Sequence, residues 1–383
     1  MKPVIKKIFS QTCWIVKNNQ VEVAITELGG QMAPVTFYRD EKESIQPYYI
    51  SPWQNEKTTI DVPVLVPLRG DFFCMPFGGN NTYKKEEHPV HGETASSMWT
   101  FDATEKENGI TRLTLSMNTK VRPGKVTKSI FLIDGHNVVY LQHKLEGFSD
   151  KMALGHHATL APPEEPDSLL IATSPILFGM IAPRKTGPAA EGEYYSLAPG
   201  KKFAGLSKVP TIWKDMPYDD CSSFPRRKGF IDVLQFYAKR QNTPAWTAVS
   251  VPSRGYLWFA LKDPVILPST VVWTENHGRH LPPWSGRNCC IGLEDVCSFF
   301  AEGLGASAKK NFLNAAGIPT SITLSTVKLF YVNYIQGVVK IPRGFGRVKS
   351  VKFKNNTVDF LDQSGKAVTA SVCYDFLSSG KIC

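Results

Sequence analysis

Apolar residues recur at every second position over short stretches, and this alternation limits the chain more than any other feature. Val21, Val23 and Ile25 alternate with Glu22, Ala24 and Thr26; Leu113, Leu115 and Met117 alternate with Thr114 and Ser116. Similar runs cover 137–145, 245–251, 256–262, 270–274 and 321–332, and each is closed by Gly, Pro, Asn or Asp. Successive side chains of a strand point to opposite faces, so such runs predict half-buried strands. Many short strands with turn residues between them predict an all-β fold, a large antiparallel sandwich or barrel. A doubly wound α/β fold needs repeated amphipathic helices, and the sequence lacks them. The clearest helix expected is short, Ala306 to Ala316, ended by Gly317. Two stretches rich in Pro, Gly and charge, 161–230 and 274–287, read as long loops, which in compact domains are usually functional or mobile.

The chain has 383 residues, enough for a large core. Composition suggests a boundary near Gly337, giving a main domain over 1–336 and a basic β extension over 337–383 packed on it. That tail holds 8 Lys and Arg against 3 Asp, a large share of the net charge of +10. Lysines on a solvated edge hairpin account for this, and a nucleic-acid partner is not expected. The charge mildly favours a phosphorylated or acidic small molecule through steering. No stretch approaches the roughly 18 apolar residues of a membrane helix, and the N-terminus lacks an apolar core of signal-peptide length. The eight cysteines contain no C-x-x-C pair and read as small thiols in a reducing, cytoplasmic setting.

Several segments carry residues fit for chemistry. In CIGLEDV, Cys290, Gly292 and Glu294 share one face of an expected strand while Ile291 and Leu293 point the other way. A carboxylate in such a strand is costly unless it is paired, with Arg287 for example, or functional. In ALGHHATL, His156 and His157 face opposite sides. Histidine is the natural acid or base near neutral pH. Arg69 follows the expected strand VPVLVPL, and His91 precedes Gly92 and Trp99; Arg and His offer donors to oxygens, while Trp99 reads as core. His88, His91 and Glu93, and Glu275, His277 and His280, lie close in sequence but without standard metal-ligand spacing, so no metal is expected. Gly303, Gly305 and Ala308 match a dinucleotide fingerprint, yet no acidic residue follows at the required distance and no βαβ unit surrounds them.

Taken in order, these segments resemble the aldose 1-epimerase (galactose mutarotase-like) superfamily. VEVAITELGGQMAPVTF resembles its first strands, LRGDFFCMPFGG its arginine segment, and PVHGE with Trp99 its His-Gly motif. GHHATL resembles the segment of its general acid and CIGLEDV that of its general base. The resemblance spans about residues 15–335. His156 stands where the family pattern has Asn, and Asp295 where it has Thr. The resemblance implies a mutarotase-like supersandwich and an isomerase acting on a sugar without a cofactor. Glu294 would take the proton of the anomeric hydroxyl and His157 would donate to the ring oxygen. Arg69, His91, His156 and, by a looser match in KGFIDVLQFY, Asp232 would bind substrate. Two alternatives stand beside it: a non-catalytic sugar-binding protein on the same fold, and a metal-dependent isomerase or lyase using the extra histidines.

Overall fold

The computed structural model describes residues 2–79 and 81–382. Alternation becomes strands where it was expected. Glu22–Thr26, Val138–Glu146, Ala245–Val251, Tyr256–Lys262 and Ser269–Asn276 are all strands. Two large antiparallel sheets dominate. The first has nine strands, with Tyr256–Lys262, Phe330–Lys340, Val138–Glu146 and Gly124–Ile133 adjacent at its centre. The second has eight, with Phe230–Ala238, Ser269–Asn276, Cys289–Cys297 and Leu154–His156 in succession. One hydrophobic core draws on both: Ile130, Leu141 and Val332 from the first sheet meet Leu234, Val272 and Leu293 from the second. Two sheets closed over a shared apolar layer make a sandwich. A four-stranded sheet formed by Val4–Ile8, Gln11–Lys17, Glu22–Thr26 and Met32–Thr36 adds its own apolar face, through Val16, Val23 and Val35, to that core.

The outer face of the nine-stranded sheet is apolar too. Tyr140, Leu257, Phe259 and Ile335 point away from the main core and are covered by Phe345, Val358, Phe360 and Phe376. The cover is a three-stranded sheet, Val348–Lys354, Thr357–Asp362 and Ala367–Ser371, followed by the short helix Phe376–Ser379. Gly337, where composition suggested a boundary, lies inside the strand Phe330–Lys340, between Val138 and Phe259 of its neighbours. The cover therefore begins beyond that strand.

Four local expectations need correction. The segment VPVLVPL before Arg69 is no strand, since Pro63–Leu65 is a short 3-10 helix. The 161–230 stretch is not one loop, since Leu169–Thr173 and Ile176–Ile181 join the two large sheets. The run 321–332 is two strands, Ile322–Leu324 and the start of Phe330–Lys340. The expected helix over 306–316 is two, Gly303–Ala308 and Phe312–Ala315, broken where Asn311 caps the second by accepting from the N–H groups of Leu313 and Asn314. An Asn side chain that satisfies orphan donors starts a helix rather than continuing one. Among the cysteines, Cys13, Cys74, Cys221, Cys289, Cys290 and Cys297 are free thiols, whereas Cys373 is disulfide-bonded, against expectation. Cys383 lies outside the described residues. Among the described residues no helix is long and apolar enough to cross a membrane.

Candidate active site

The register of the eight-stranded sheet builds the site. Gly155 pairs with Val296 and Ala158 with Leu293, so His157 lies opposite Glu294 and His156 opposite Asp295. Side chains directly opposite in an antiparallel pair are close neighbours on one face. His157 and Glu294 accordingly meet on the outer face, with Nε2 3.1 Å from Oε1. Gly292, two residues before Glu294, makes room for it: a Cβ there would stand 2.3 Å from Oε1. The glycine that suggested a ligand's approach thus accommodates the glutamate's own carboxyl.

The imidazole of His157 is fixed on several sides. Its Nδ1 lies 3.1 Å from Thr159 Oγ1, and its backbone N–H donates to Phe72 O at 2.9 Å. Its ring stacks on Phe72 at 4.5 Å and meets His91 edge-on at 4.9 Å. His157 is 5% exposed and Glu294 2%. Burial pushes the Glu294 carboxyl well above the ordinary carboxylate range. Burial, with a smaller contribution from His91, pushes His157 well below the ordinary imidazole value. Burial also lowers His91 to about 4. Loss of water disfavours whichever form is charged. Burial thus disfavours the carboxylate form of Glu294 and the imidazolium form of His157 alike.

These groups line a cavity of about 300 Å³. Phe72, His91, His157 and Glu294 contribute to it, with Trp273 and Trp284 forming an aromatic corner at 5.9 Å and 80°. Arg184 and Thr186 come from one Pro- and Gly-rich stretch, Arg279 and Trp284 from the other. Arg184 Nε lies 3.1 Å from Glu302 Oε1, and Arg279 Nε lies 3.8 Å from Glu275 Oε2. The Arg279 guanidinium also lies over Trp284 at 4.6 Å and Trp273 at 5.3 Å. Sequence reasoning missed Arg184, Arg279, Trp273 and Trp284. Only the loop composition around three of them pointed there.

Three residues expected to bind substrate lie elsewhere. Arg69 is fully buried and donates to the carbonyls of Pro67, Ile8 and Phe9 and to Gln54 Oε1. It ties the N-terminal turn to the sandwich and does not line the cavity. Burial lowers its pKa to about 10, which leaves it charged at neutral pH. His156 points into the sandwich, 2.9 Å from Asp71 Oδ2 and stacked on Tyr334 at 4.2 Å. Asp232 accepts from Ser196 N and Leu197 N at 2.9 Å each and lines a separate hollow of about 50 Å³. Each was displaced by strand parity or by a polar partner contributed from a distant segment.

The residues of the two His-rich segments find other partners. His88 pairs with Glu86 at 2.9 Å, and Glu93 accepts from the N–H groups of Lys120 and Val121. His277 Nδ1 lies 3.0 Å from Gly286 O, and Glu275 accepts from Gly278 N. Among the described residues no three His, Cys, Asp or Glu side chains are grouped to hold a metal. Arg287, offered as a partner for Glu294, binds Glu56 instead.

A two-sheet sandwich carrying a buried carboxyl–imidazole pair on its outer face defines a class of fold. The chain has the galactose mutarotase-like fold. It is similar to a galactose mutarotase-like protein from Clostridium acetobutylicum, with TM-score 0.60 and 12% identity over 89% of this chain and 99% of that one. A putative mutarotase from Salmonella typhimurium gives TM-score 0.57 and 10% identity over 88% and 94%. A putative aldose 1-epimerase from Escherichia coli gives 0.56 and 11% over 86% and 100%. No family model matches the chain, and no curated protein does.

Proposed function

We propose that this protein interconverts the anomers of an aldose, with Glu294 and His157 as its acid–base pair. The observation that carries the reading is that pair, 3.1 Å apart at the wall of a cavity large enough for a small ligand. The anomeric hydroxyl and the ring oxygen of an aldose are bonded to the same carbon. An acid and a base side by side can therefore serve both. One member takes the hydroxyl proton while the other protonates the ring oxygen, and the C1–O5 bond breaks. Rotation about C1–C2 and closure on the other face of the aldehyde invert the centre. The return step exchanges the roles, so the single shared proton serves both directions.

Substrate contact by Arg69, His156 and Asp232 is no longer part of the reading, while His91 remains at the cavity wall as a neutral imidazole. The neighbours' printed names, putative aldose 1-epimerase and mutarotase, point the same way. A cytoplasmic setting accords with the six free thiols, and the disulfide at Cys373 counts against it.

Exchange NMR between anomers tests the proposal. Wild-type protein should accelerate exchange, and Glu294→Gln should slow it by about a hundredfold or more, the usual worth of a positioned acid or base. Equal rates for the two would remove Glu294 from the mechanism. The 3.1 Å approach of the two groups favours a second reading, a sugar-binding protein in which they serve as each other's partner. Binding without any acceleration of exchange would establish that one.

A further inference from the structure

Charge and depth are unevenly spread along the cavity. His157 and Glu294 are buried at its floor, whereas the side chains of Arg279 and Arg184 are 29% and 58% exposed at its mouth. One indole joins floor to mouth. The Trp273 ring meets His157 at 5.9 Å, and the Arg279 guanidinium lies 5.3 Å from that ring and 4.6 Å from Trp284. Two short contacts thus separate the imidazole from a guanidinium, a span that a pyranose with a charged group on C6 covers.

The donors along this wall are largely free. Among the described residues the Arg279 guanidinium makes no hydrogen bond, and Glu275 Oε2 stands 3.8 Å from its Nε. Burial raises the Glu275 carboxyl, against the opposing pull of Arg279, so that carboxylate is a poor competitor for the guanidinium. Arg184 donates one bond, from Nε to Glu302 Oε1 at 3.1 Å, and its terminal nitrogens have none. Trp273 Nε1 is buried without a hydrogen-bond partner. Buried donors are nearly always paired, so an unpaired one on a cavity wall marks a place for a ligand's oxygen.

The sign of the charge selects the ligand. The cavity's charged side chains are the two arginines and Glu294, whose charged form burial disfavours. The net charge of +10 adds long-range attraction for anions. A guanidinium offers a planar fork that matches phosphate or carboxylate oxygens, and charge-assisted bonds are roughly twice as strong as those to a neutral hydroxyl. Packing on the two indoles holds Arg279 in place beforehand, which lowers the entropy lost on binding.

We infer that the substrate is an aldose carrying a phosphate or carboxylate on the carbon remote from C1, with C1 at His157 and Glu294 and the anionic group held at the mouth by Arg279 and Arg184. The reaction at C1 rests on the mutarotase reading; the anion subsite rests on the arginines and the Trp273 N–H.

Matched sugars that differ only at C6 provide the test: D-glucose, D-glucose 6-phosphate and D-glucuronate, with the corresponding galacto set. Anomer exchange is followed by NMR with wild-type protein and with Glu294→Gln as the catalytic control. The expected result is kcat/KM at least about tenfold higher for one anionic member than for its neutral parent, the worth of one hydrogen bond to a charged group. Which anion leads, the 6-phosphate or the uronate, identifies the source of the charge. Arg279→Gln should bring the anionic sugar to within about threefold of the parent. Arg184→Gln, at an exposed position, should narrow the same ratio, as should added salt with the wild type, so the test holds even if Arg279→Gln does not fold. Equal rates for parent and anion, preference for the parent, or an anion preference that survives both arginine variants would overturn the inference while leaving the Glu294-dependent activity intact. If no sugar exchanges faster than background, the mutarotase reading fails and calorimetry on the same sets decides the subsite. Tighter binding of an anionic member, weakened in the arginine variants, would then uphold it, and any other ranking or no binding at all would overturn it.

Discussion

A carboxyl and an imidazole buried 3.1 Å apart hold their protons differently from the same groups in water. Glu294 loses its proton only well above its ordinary 4.5, and His157 gains a second only well below its ordinary 6.5. Burial therefore favours the uncharged form of each group between those limits, and groups this close titrate as a pair. Activity is expected to stay level as pH falls through 6.5, and to decline on the acid side only when His157 takes its extra proton. A pH–rate profile checks this; an acid limb centred at the ordinary imidazole value would contradict it. For stability the sign is the reverse of the usual carboxylate case. The fold favours the protonated Glu294, so its contribution is present at low pH and is lost as pH rises through the raised pKa. Glu294→Gln should thus melt higher than wild type in alkaline buffer, as seen by calorimetry. Arg69 belongs to the same scale with the opposite role. Arg69→Met leaves several buried carbonyls without a donor and should cost roughly 3 kcal/mol in urea unfolding. Its KM should move by no more than about twofold, because the guanidinium holds the N-terminal turn rather than a ligand. Parity alone placed His157 on the face of Gly155 and Glu294 on that of Gly292, while their roles as acid and base were implied only by the family resemblance. Arg69 could not, since Ile8, Phe9 and Gln54 come to it from remote parts of the chain.

Strands carry two sets of polar residues, one on each face. Behind the outward Glu294, Asp295 points into the sandwich and accepts from Lys262 Nζ at 2.5 Å, Thr270 Oγ1 at 2.6 Å and Tyr334 Oη at 2.7 Å. Lys262 and Tyr334 belong to the nine-stranded sheet, so this cluster ties the two sheets together behind His157 and Glu294. Burial lowers Lys262, against the opposing pull of Asp295. Breaking a buried ion pair leaves an uncompensated charge and costs about 3–5 kcal/mol, whereas replacing both members can be nearly neutral. Lys262→Met should be destabilised by that amount in urea, and Lys262→Met with Asp295→Leu should recover most of it. If single and double variants unfold alike, the pair is not what joins the sheets. The alternation in sequence gives the strands here, including the inward and outward parity of residues 294 and 295. It cannot show that Lys262, thirty-three positions earlier, is the cation. The helix over 306–316 failed for a related reason, because propensity did not register the competing cap of Asn311 on its own backbone.

At the scale of the whole molecule, the nine-stranded sheet has two apolar faces and needs a cover on each. The eight-stranded sheet covers one. The segment beyond Lys340 covers the other, through Phe345, Val358, Phe360 and Phe376. Truncation after Pro342 would expose Tyr140, Leu257, Phe259 and Ile335 as a contiguous apolar patch, a recognised route to aggregation. The truncated chain is expected to be insoluble, or to bind a hydrophobic dye strongly if it is recovered; a soluble, monomeric, dye-silent product would show that the cover is dispensable. Local chemistry in the chain was enough to specify strands, their turns, the parity of the key residues and an all-β class, because a period of two acts over neighbouring positions. Which arginine supports the N-terminus, which carboxylate pairs with Arg184, and which aromatic residues wall the cavity are long-range matters. Those contacts exist only after the sheets close, when burial removes water and each polar group must take whatever partner the packing brings within reach.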